Sequence, residues 1–379
     1  LVVRNSLIER NNNLDITPGI NAGWWEQAGI KLHASANALI EGNIIRDNEA
    51  FGMWIDTHFT NSRVTRNLVV NNKLSGVFAE KGWGPFLIDH NVIGGTRSGH
   101  GIYAHDASGV IAAHNLIIRN SGVGVLMRNV RPVSQKAETS ANIIYANLIL
   151  GNYTAAIGLP VTDAQNKGNY CDWNVYGGGT HFYDPGPVEM ILLEQTNDPK
   201  RAGGLFETAR SPAHPPAGWE PFGTALSVTK DWHTRQWKDE DTLVMSLPTW
   251  KQVLEWDVHS VSPFSLKDRY MILRPRELNF EWEVPQAVAE LNLPDEWPDG
   301  IQKAMAVMVA KSKSADAEAL QKVTRDYHGQ TRGRAPGPFQ SLTAGQGIFP
   351  VTPVMPSWSA KEVRLEKTES GNNSTQAAK

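Results

Sequence analysis

Glu41-Gly42-Asn43-Ile44-Ile45, Thr65-Arg66-Asn67-Leu68-Val69, Asp89-His90-Asn91-Val92-Ile93 and Ala113-His114-Asn115-Leu116-Ile117 are copies of one phrase, and their asparagines recur every 24 residues. Fainter copies sit at Asn5, Asn147 and Asn174. A fixed period of this length is the mark of a solenoid. The repeat is too short for two helices of ordinary length, and it is rich in Val, Ile and Leu, so each copy reads as one turn of a parallel β-helix. Within a copy, residues 52–56 and 62–72 alternate apolar and polar side chains, the pattern of strands with one buried face. Parallel strands stack about 4.8 Å apart, so equivalent residues of successive coils form ladders. An inward asparagine can hydrogen-bond the next coil, and it tolerates the left-handed backbone that corners need. The repeating asparagine is therefore read as structural.

The composition narrows the function. A net charge of −3 over 379 residues offers no basic stripe for nucleic acid. The single cysteine, Cys171, excludes an internal disulfide and a multi-cysteine zinc site. No apolar run is long enough to span a bilayer. No signal peptide is visible, and Leu1-Val2-Val3-Arg4-Asn5 already reads as the interior of a coil, so upstream coils are expected. Thirteen tryptophans suit sugar stacking or a large core equally.

Three regions follow from where the period holds. Coils occupy 1–185, with a longer loop after Arg128, because Asn115 and Asn147 stand 32 residues apart. Such insertions often build a binding face. An irregular and helical region, 186–345, is expected to pack on the solenoid, and 346–379 reads as an extended or disordered tail. Within the middle region 196–240 is polar and proline-rich. Ser246 and Pro248 predict a short helix over 246–255. Residues 270–273 and 278–280 read as irregular closing strands. A helix opens at Asp299 with a stripe of Ile301, Ala304, Met305, Met308 and Val309, and another is expected over 314–326, ending near Gly329.

The other strand of each coil carries chemistry. Aligned by the repeat, Ile30-Lys31-Leu32-His33, Met53-Trp54-Ile55-Asp56, Val77-Phe78-Ala79-Glu80, Ile102-Tyr103-Ala104-His105 and Val125-Leu126-Met127-Arg128 place apolar residues first and third, pointing inward. The second and fourth then point outward. One outward column reads His33, Asp56, Glu80, His105, Arg128; its neighbour reads Lys31, Trp54, Phe78, Tyr103, Leu126. Like charges on adjacent strands oppose each other, so stability alone does not select Asp56 beside Glu80. Such a pair separates an acid from a base, as glycoside hydrolysis requires. Trp54 and Tyr103 are the candidate sugar platform; Lys31, His33, His105, Asp106 and Arg128 are candidate substrate contacts, with Asp106 at a turn. The plainer reading is a solvated charged face, and paired carboxylates also suit Ca²⁺, although no cofactor is required. Asp89 and His90 read as corner residues, and Asp257 and His259 as local caps. No phosphate loop, dinucleotide fingerprint, zinc motif or nucleophile elbow appears.

Gly29-Ile30-Lys31-Leu32-His33, Trp54-Ile55-Asp56, Arg63-Val64-Thr65-Arg66-Asn67, and Glu80 followed by Gly84-Pro85-Phe86-Leu87-Ile88-Asp89 resemble bacterial right-handed parallel β-helix proteins related to glycoside hydrolase family 141, as does the closing Gly337-Pro338-Phe339-Gln340. That family includes α-L-fucosidases and xylanases. The resemblance covers mainly residues 24–120, and Thr57-His58 stand where an aromatic would be expected. It implies an all-β solenoid with a right-handed coil, secreted or periplasmic, acting on plant or microbial polysaccharide through Asp56 and Glu80. A monomer is expected. Two other functions share this fold: a polysaccharide lyase or uronate epimerase, with Lys31, Arg128 or a histidine as base, and a non-catalytic carbohydrate-binding or adhesin-like solenoid.

Overall fold

The computed structural model describes residues 1–12, 27–128, 139, 141–160, 169–177, 189–195, 240–263, 271–298, 301–303, 306 and 325–353. Through most of them the chain winds as a parallel β-helix with three walls. The first sheet stacks Val2–Arg4, Leu39–Glu41, Ser62–Thr65, Trp83–Asp89, Ser108–Ala113, Ile143–Tyr145 and Tyr170–Asp172. The second stacks Leu7–Glu9, Ile44–Arg46, Leu68–Val70, Val92–Gly94, Leu116–Ile118, Leu148–Leu150 and Val175–Gly177. The third stacks Ala28–His33, Phe51–Asp56, Val77–Glu80, Ile102–His105, Val123–Arg128, Ala155–Pro160 and Glu189–Gln195, and closes with Glu240–Ser246 added antiparallel. The coil thus runs past the expected boundary at 185. The 24-residue period fails there while strand pairing does not, because pairing needs only an extended backbone.

Inside the coil, columns such as Met53, Val77, Ile102 and Val125 form one continuous apolar core. The asparagine ladder runs along one of its corners. Each asparagine donates its backbone N–H and its side-chain amide to the side-chain oxygen one coil on: 2.9 and 2.9 Å from Asn43 to Asn67, 3.0 and 2.9 Å from Asn67 to Asn91, 2.9 and 3.0 Å from Asn91 to Asn115. The chain of bonds continues through Asn147 to Asn174. The residue before each ladder asparagine takes the left-handed conformation, from Gly42 through Arg66, His90, His114 and Ala146 to Trp173. Asn5 belongs to that corner column; Ser6 is level with Asn43 and donates its N–H to Asn43 Oδ1 at 3.0 Å. Reading Asn5 as a ladder copy was one residue out of step, since asparagine suits both positions.

A second ladder, outside the sequence reading, links Asn48 to Asn72 and Asn120 to Asn152 across the corner that leads into the third sheet. Glycines beside it leave the space the amides occupy. A Cβ on Gly101 would lie 2.8 Å from Asn120 Nδ2 and 2.6 Å from the Gly124 carbonyl oxygen, closer than any real methyl approaches.

The coil is closed by the segment after the third sheet. The helix Leu247–Leu254 is as expected, and Leu247, Trp250, Leu254 and Trp256 lie against the core. Asp257 is not a local cap. Its carboxylate accepts from Asn174 Nδ2 at 3.1 Å, Tyr176 Oη at 2.9 Å and Trp250 Nε1 at 3.1 Å, while Ser260 Oγ accepts the Asn174 N–H at 2.8 Å. Together Asp257 and Ser260 stand in for the next asparagine of the ladder. Burial pushes the Asp257 carboxyl up in pKa against the bonds it accepts.

The outer walls are covered too. Met271–Arg274, Asn279–Val284 and Gly345–Pro350 form an antiparallel sheet, more regular than the closing strands expected, and Gly345–Pro350 reaches into the supposed tail. Phe280, Trp282, Tyr327 and Phe339 cover Leu68, Val92, Leu116 and Leu148 on the second sheet. Leu293 and Ile301 cover Leu87, Ile111 and Ile143 on the first. Residues 301–303 are helical, as expected after Asp299, and the rest of that stripe (Ala304, Met305, Met308 and Val309) lies outside the described residues. The helix expected over 314–326 falls mostly outside them as well, but its end does not: Arg325 bridges Thr331, and Asp326 Oδ1 accepts the N–H groups of His328 and Gln330 in a tight turn. A side chain that satisfies a turn competes with helix.

Candidate active site

The third sheet sets the register of the candidate residues. His33 pairs with Asp56, Asp56 with Glu80, Glu80 with His105 and His105 with Arg128. Two positions earlier in each strand, Lys31, Trp54, Phe78, Tyr103 and Leu126 form the neighbouring column. The two-residue alternation holds: Ile30, Met53, Ile55 and Ala79 join the core inside the coil, whereas Trp54, Phe78, Tyr103 and Leu126 form a separate apolar cluster outside it.

That outer cluster is closed off from solvent, contrary to the open face expected. Trp54 and Tyr103 are each only 3% exposed, Asp56 5% and Glu80 9%, and Arg128 is fully buried. Period-2 alternation separates the faces of a sheet, but it does not say whether a face is wet. The aromatics pack on one another instead of waiting for a ligand: Phe78 stacks on Tyr103 with centroids 4.8 Å apart, and Trp54 tilts against Phe78 at 5.1 Å. Trp54 and Tyr103 thus make a platform beneath the column, not one open to a sugar.

Each carboxylate has a nitrogen-bearing neighbour, a lysine for Asp56 and a histidine for Glu80. Lys31 Nζ donates to Asp56 Oδ2 at 2.9 Å and lies 3.1 Å from the centroid of the Trp54 ring, so charge and cation–π attraction fix it together. Thr57 Oγ1 donates to Asp56 Oδ1 at 2.6 Å. His105 Nε2 lies 3.1 Å from Glu80 Oε1, and its Nδ1 lies 3.5 Å from the Tyr103 hydroxyl. The like-charge repulsion expected of Asp56 and Glu80 is offset on the Asp56 side by the Lys31 charge. His33 ends the column exposed. Asp106 follows His105 at a left-handed corner and is buried.

Asp56 and Glu80 are the last residues of their strands. The chain beyond them reaches solvent at His58 and at Trp83, with Thr57 and Lys81 partly buried between, so the carboxylates sit next to an exposed corner of the coil. Two carboxylates on adjacent rungs, each with a proton donor or cation beside it, can give and take protons at one bond.

Two polar clusters lie elsewhere. On the first sheet Asp89 Oδ1 and Oδ2 accept from Arg63 at 2.8 and 2.7 Å, and His90 Nδ1 lies 2.9 Å from Oδ2. Burial pulls the Asp89 carboxyl up, but the Arg63 charge and hydrogen bonds outweigh it and hold it well below the usual carboxylate range. His90 is a corner residue, as expected, and its ring stacks on His114 at 5.0 Å, with Arg332 Nη1 3.4 Å from His114 Nε2. Burial pushes both imidazoles down. At the end of the same sheet His259 Nδ1 lies 2.7 Å from Asp172 Oδ2, and its ring stacks on Trp173 at 4.5 Å. His259 thus reaches the coil instead of capping its own helix.

Against known proteins, the family described as periplasmic copper-binding protein (NosD) matches residues 3–180, just under half of the 379. No curated protein matches the chain. Among solved structures, a mutant of the periplasmic alginate epimerase AlgG is similar at 16% identity over 45% of this chain and 40% of that one, with a TM-score of 0.32. The complex of XylC with xylose is similar at 16% identity over 86% of this chain and 45% of that one, with a TM-score of 0.39. The chain thus spans less than half the length of either.

Copper does not fit the donors that the structure brings together. Copper sites draw on thiolate, thioether and imidazole. Cys171 is buried in the core with its thiol pushed well up by burial. His90 and His114 meet face to face beside an arginine. Among the described residues no three of His, Cys, Asp and Glu converge as a metal requires.

Proposed function

We propose that this chain is a carbohydrate-active enzyme, and within that class a glycoside hydrolase that cleaves a plant or microbial polysaccharide or oligosaccharide between Asp56 and Glu80. The observation supporting this is the pairing of Asp56 with Glu80 on adjacent rungs, with the Lys31 ammonium beside Asp56 and the His105 imidazole beside Glu80. A carboxylate that accepts from both Lys31 and Thr57 suits the partner that acts ionised, as nucleophile or base. Glu80, beside His105, is then the partner that protonates the leaving oxygen. A rung spacing of about 4.8 Å lies nearer the retaining range of about 5–5.5 Å than the inverting one. A periplasmic or secreted setting accords with the match to a periplasmic family.

The test is turnover on a polysaccharide panel by the wild type, Asp56→Asn and Glu80→Gln. Each isosteric change is expected to cost about 10²–10⁴-fold. Unimpaired turnover in both variants removes the assignment. One feature favours a second reading: Lys31 reaches Asp56 through its side chain, and His105 and Arg128 follow Glu80 in register, a set that would suit an acidic sugar. A lyase acting there releases an unsaturated product that absorbs ultraviolet light, which a hydrolase does not.

A further inference from the structure

With Trp54 and Tyr103 buried, an open aromatic surface beside the carboxylates must come from elsewhere, and Trp83 supplies one. Trp83 stands three residues after Glu80 and is 49% exposed. His58, two residues after Asp56, is also exposed, and the two rings stack with centroids 5.4 Å apart and planes 28° from parallel. The backbone joins this pair to the carboxylates. Thr57 N–H donates to the Glu80 carbonyl at 2.8 Å, His58 N–H to the Lys81 carbonyl at 2.7 Å, and Trp83 N–H to the Phe59 carbonyl at 3.1 Å.

The chain on either side of Trp83 is pressed against its neighbours. A Cβ on Gly82 would fall 2.4 Å from the Phe59 ring, and one on Gly84 would fall 2.1 Å from the Gly109 carbonyl oxygen. The indole is therefore held outward by a fixed backbone. Scattered exposed aromatics need no explanation. This one is backed by a second ring, lies on the same edge as an in-register carboxylate pair, and has the flat apolar face that packs on the C–H face of a pyranose.

We propose that Trp83, backed by His58, is the platform that seats one pyranose ring of a polysaccharide beside Asp56 and Glu80. This rests on the carbohydrate-active reading given above, and it makes Trp83 a substrate-positioning residue whose signal in the sequence is an aromatic between two glycines just past Glu80.

Affinity electrophoresis of the full chain in native gels containing xylan, alginate or polygalacturonate tests it. The wild type and Glu80→Gln are expected to be retarded in at least one gel. Trp83→Ala should bind about tenfold more weakly, Trp83→Phe should recover much of the loss, and His58→Ala should fall between. All variants should keep the wild-type thermal midpoint, and on a turned-over substrate Trp83→Ala should raise KM more than it lowers kcat. Equal retardation of Trp83→Ala and wild type overturns the proposal, as does a wild type retarded in none of the three gels. If Trp83→Ala weakens binding while Glu80→Gln turns over normally, the platform stands and the carboxylate assignment falls.

Discussion

Truncating Asn91 to alanine tests whether the asparagine ladder holds the coils together. The side chain accepts from the Asn67 N–H at 3.0 Å and from Asn67 Nδ2 at 2.9 Å, and it donates to Asn115 Oδ1, the Val64 carbonyl and the Asp89 carbonyl at 3.0 Å each. Some partners keep a second bond after truncation. Asn67 Nδ2 still reaches the Ile40 and Thr65 carbonyls, Asn115 Oδ1 still accepts the Asn91 N–H, and the Asp89 carbonyl still accepts the Arg66 N–H. The Asn67 N–H and the Val64 carbonyl lose the amide inside a dry wall. An orphaned buried group costs about 1–3 kcal/mol, and an ordinary lost bond about 1 kcal/mol. The expected loss is therefore about 3–5 kcal/mol, a large share of the roughly 5–15 kcal/mol that holds a typical domain folded. Urea unfolding followed by circular dichroism measures it, with hydrogen exchange on rungs 62–70 and 86–94 to show that the loss is local, since solenoid stability sums over neighbouring coils. Asn91→Asp is an informative companion. It keeps the acceptor for Asn67 but sets a carboxylate against three oxygens, so it should be at least as damaging at pH 7 and partly recover on acidification. A loss below about 1 kcal/mol for Asn91→Ala would show that the ladder merely accompanies packing.

Other outcomes follow from buried groups. Because burial depresses the pKa values of His90 and His114, the unfolded chain takes up more protons than the folded one below the ordinary imidazole value near 6.5; stability is complete above that pH and falls below it, by up to about 1.4 kcal/mol per pH unit for each histidine. His114→Phe should flatten the decline of thermal midpoint between pH 7 and pH 5, and an unchanged slope would refute the assignment. Gly101→Ala should cost about 1–3 kcal/mol or more, since its methyl meets the Gly124 carbonyl at 2.6 Å; a neutral result in urea would show that the corner can shift. Cys171 is buried with its thiol pushed up, so a thiol reagent should label it only as the coil end unfolds, and rapid labelling without denaturant would contradict the closed end. Lys31 already occupies Asp56 Oδ2, the oxygen a Ca²⁺ would seek, so a chelator should leave turnover unchanged; a loss restored by added Ca²⁺ would argue otherwise.

Asn43, Asn67, Asn91 and Asn115 made the coil legible because each meets its own kind one turn on, so the local pattern and the long-range contact carry the same information. The same holds for Asp56 and Glu80, whose register follows from counting the repeat. Asp257 shows the opposite case. It stands 83 residues beyond Asn174, the amide it satisfies, and nothing near it in the chain marks it as the end of a ladder. Asp172 and His259 meet across 87 residues for the same reason. Trp54 and Trp83 show where composition misleads: both are tryptophans beside a carboxylate, one sealed under a wall and one at its rim.

Repeat spacing and alternation decide which residues stack and which face of a strand they take, because both depend on backbone geometry that the chain carries with it everywhere. Whether an outward face meets water depends on what packs against it, as the later segments around Phe280 and Leu293 do on the second and first sheets, and that docking is set by the shape and apolar area of two surfaces at once. The order of Lys31, Asp56, Glu80, His105 and Arg128 along the wall could therefore be read from one strand to the next. Their burial, their partners and the exposure of Trp83 are settled only by the packed coil as a whole.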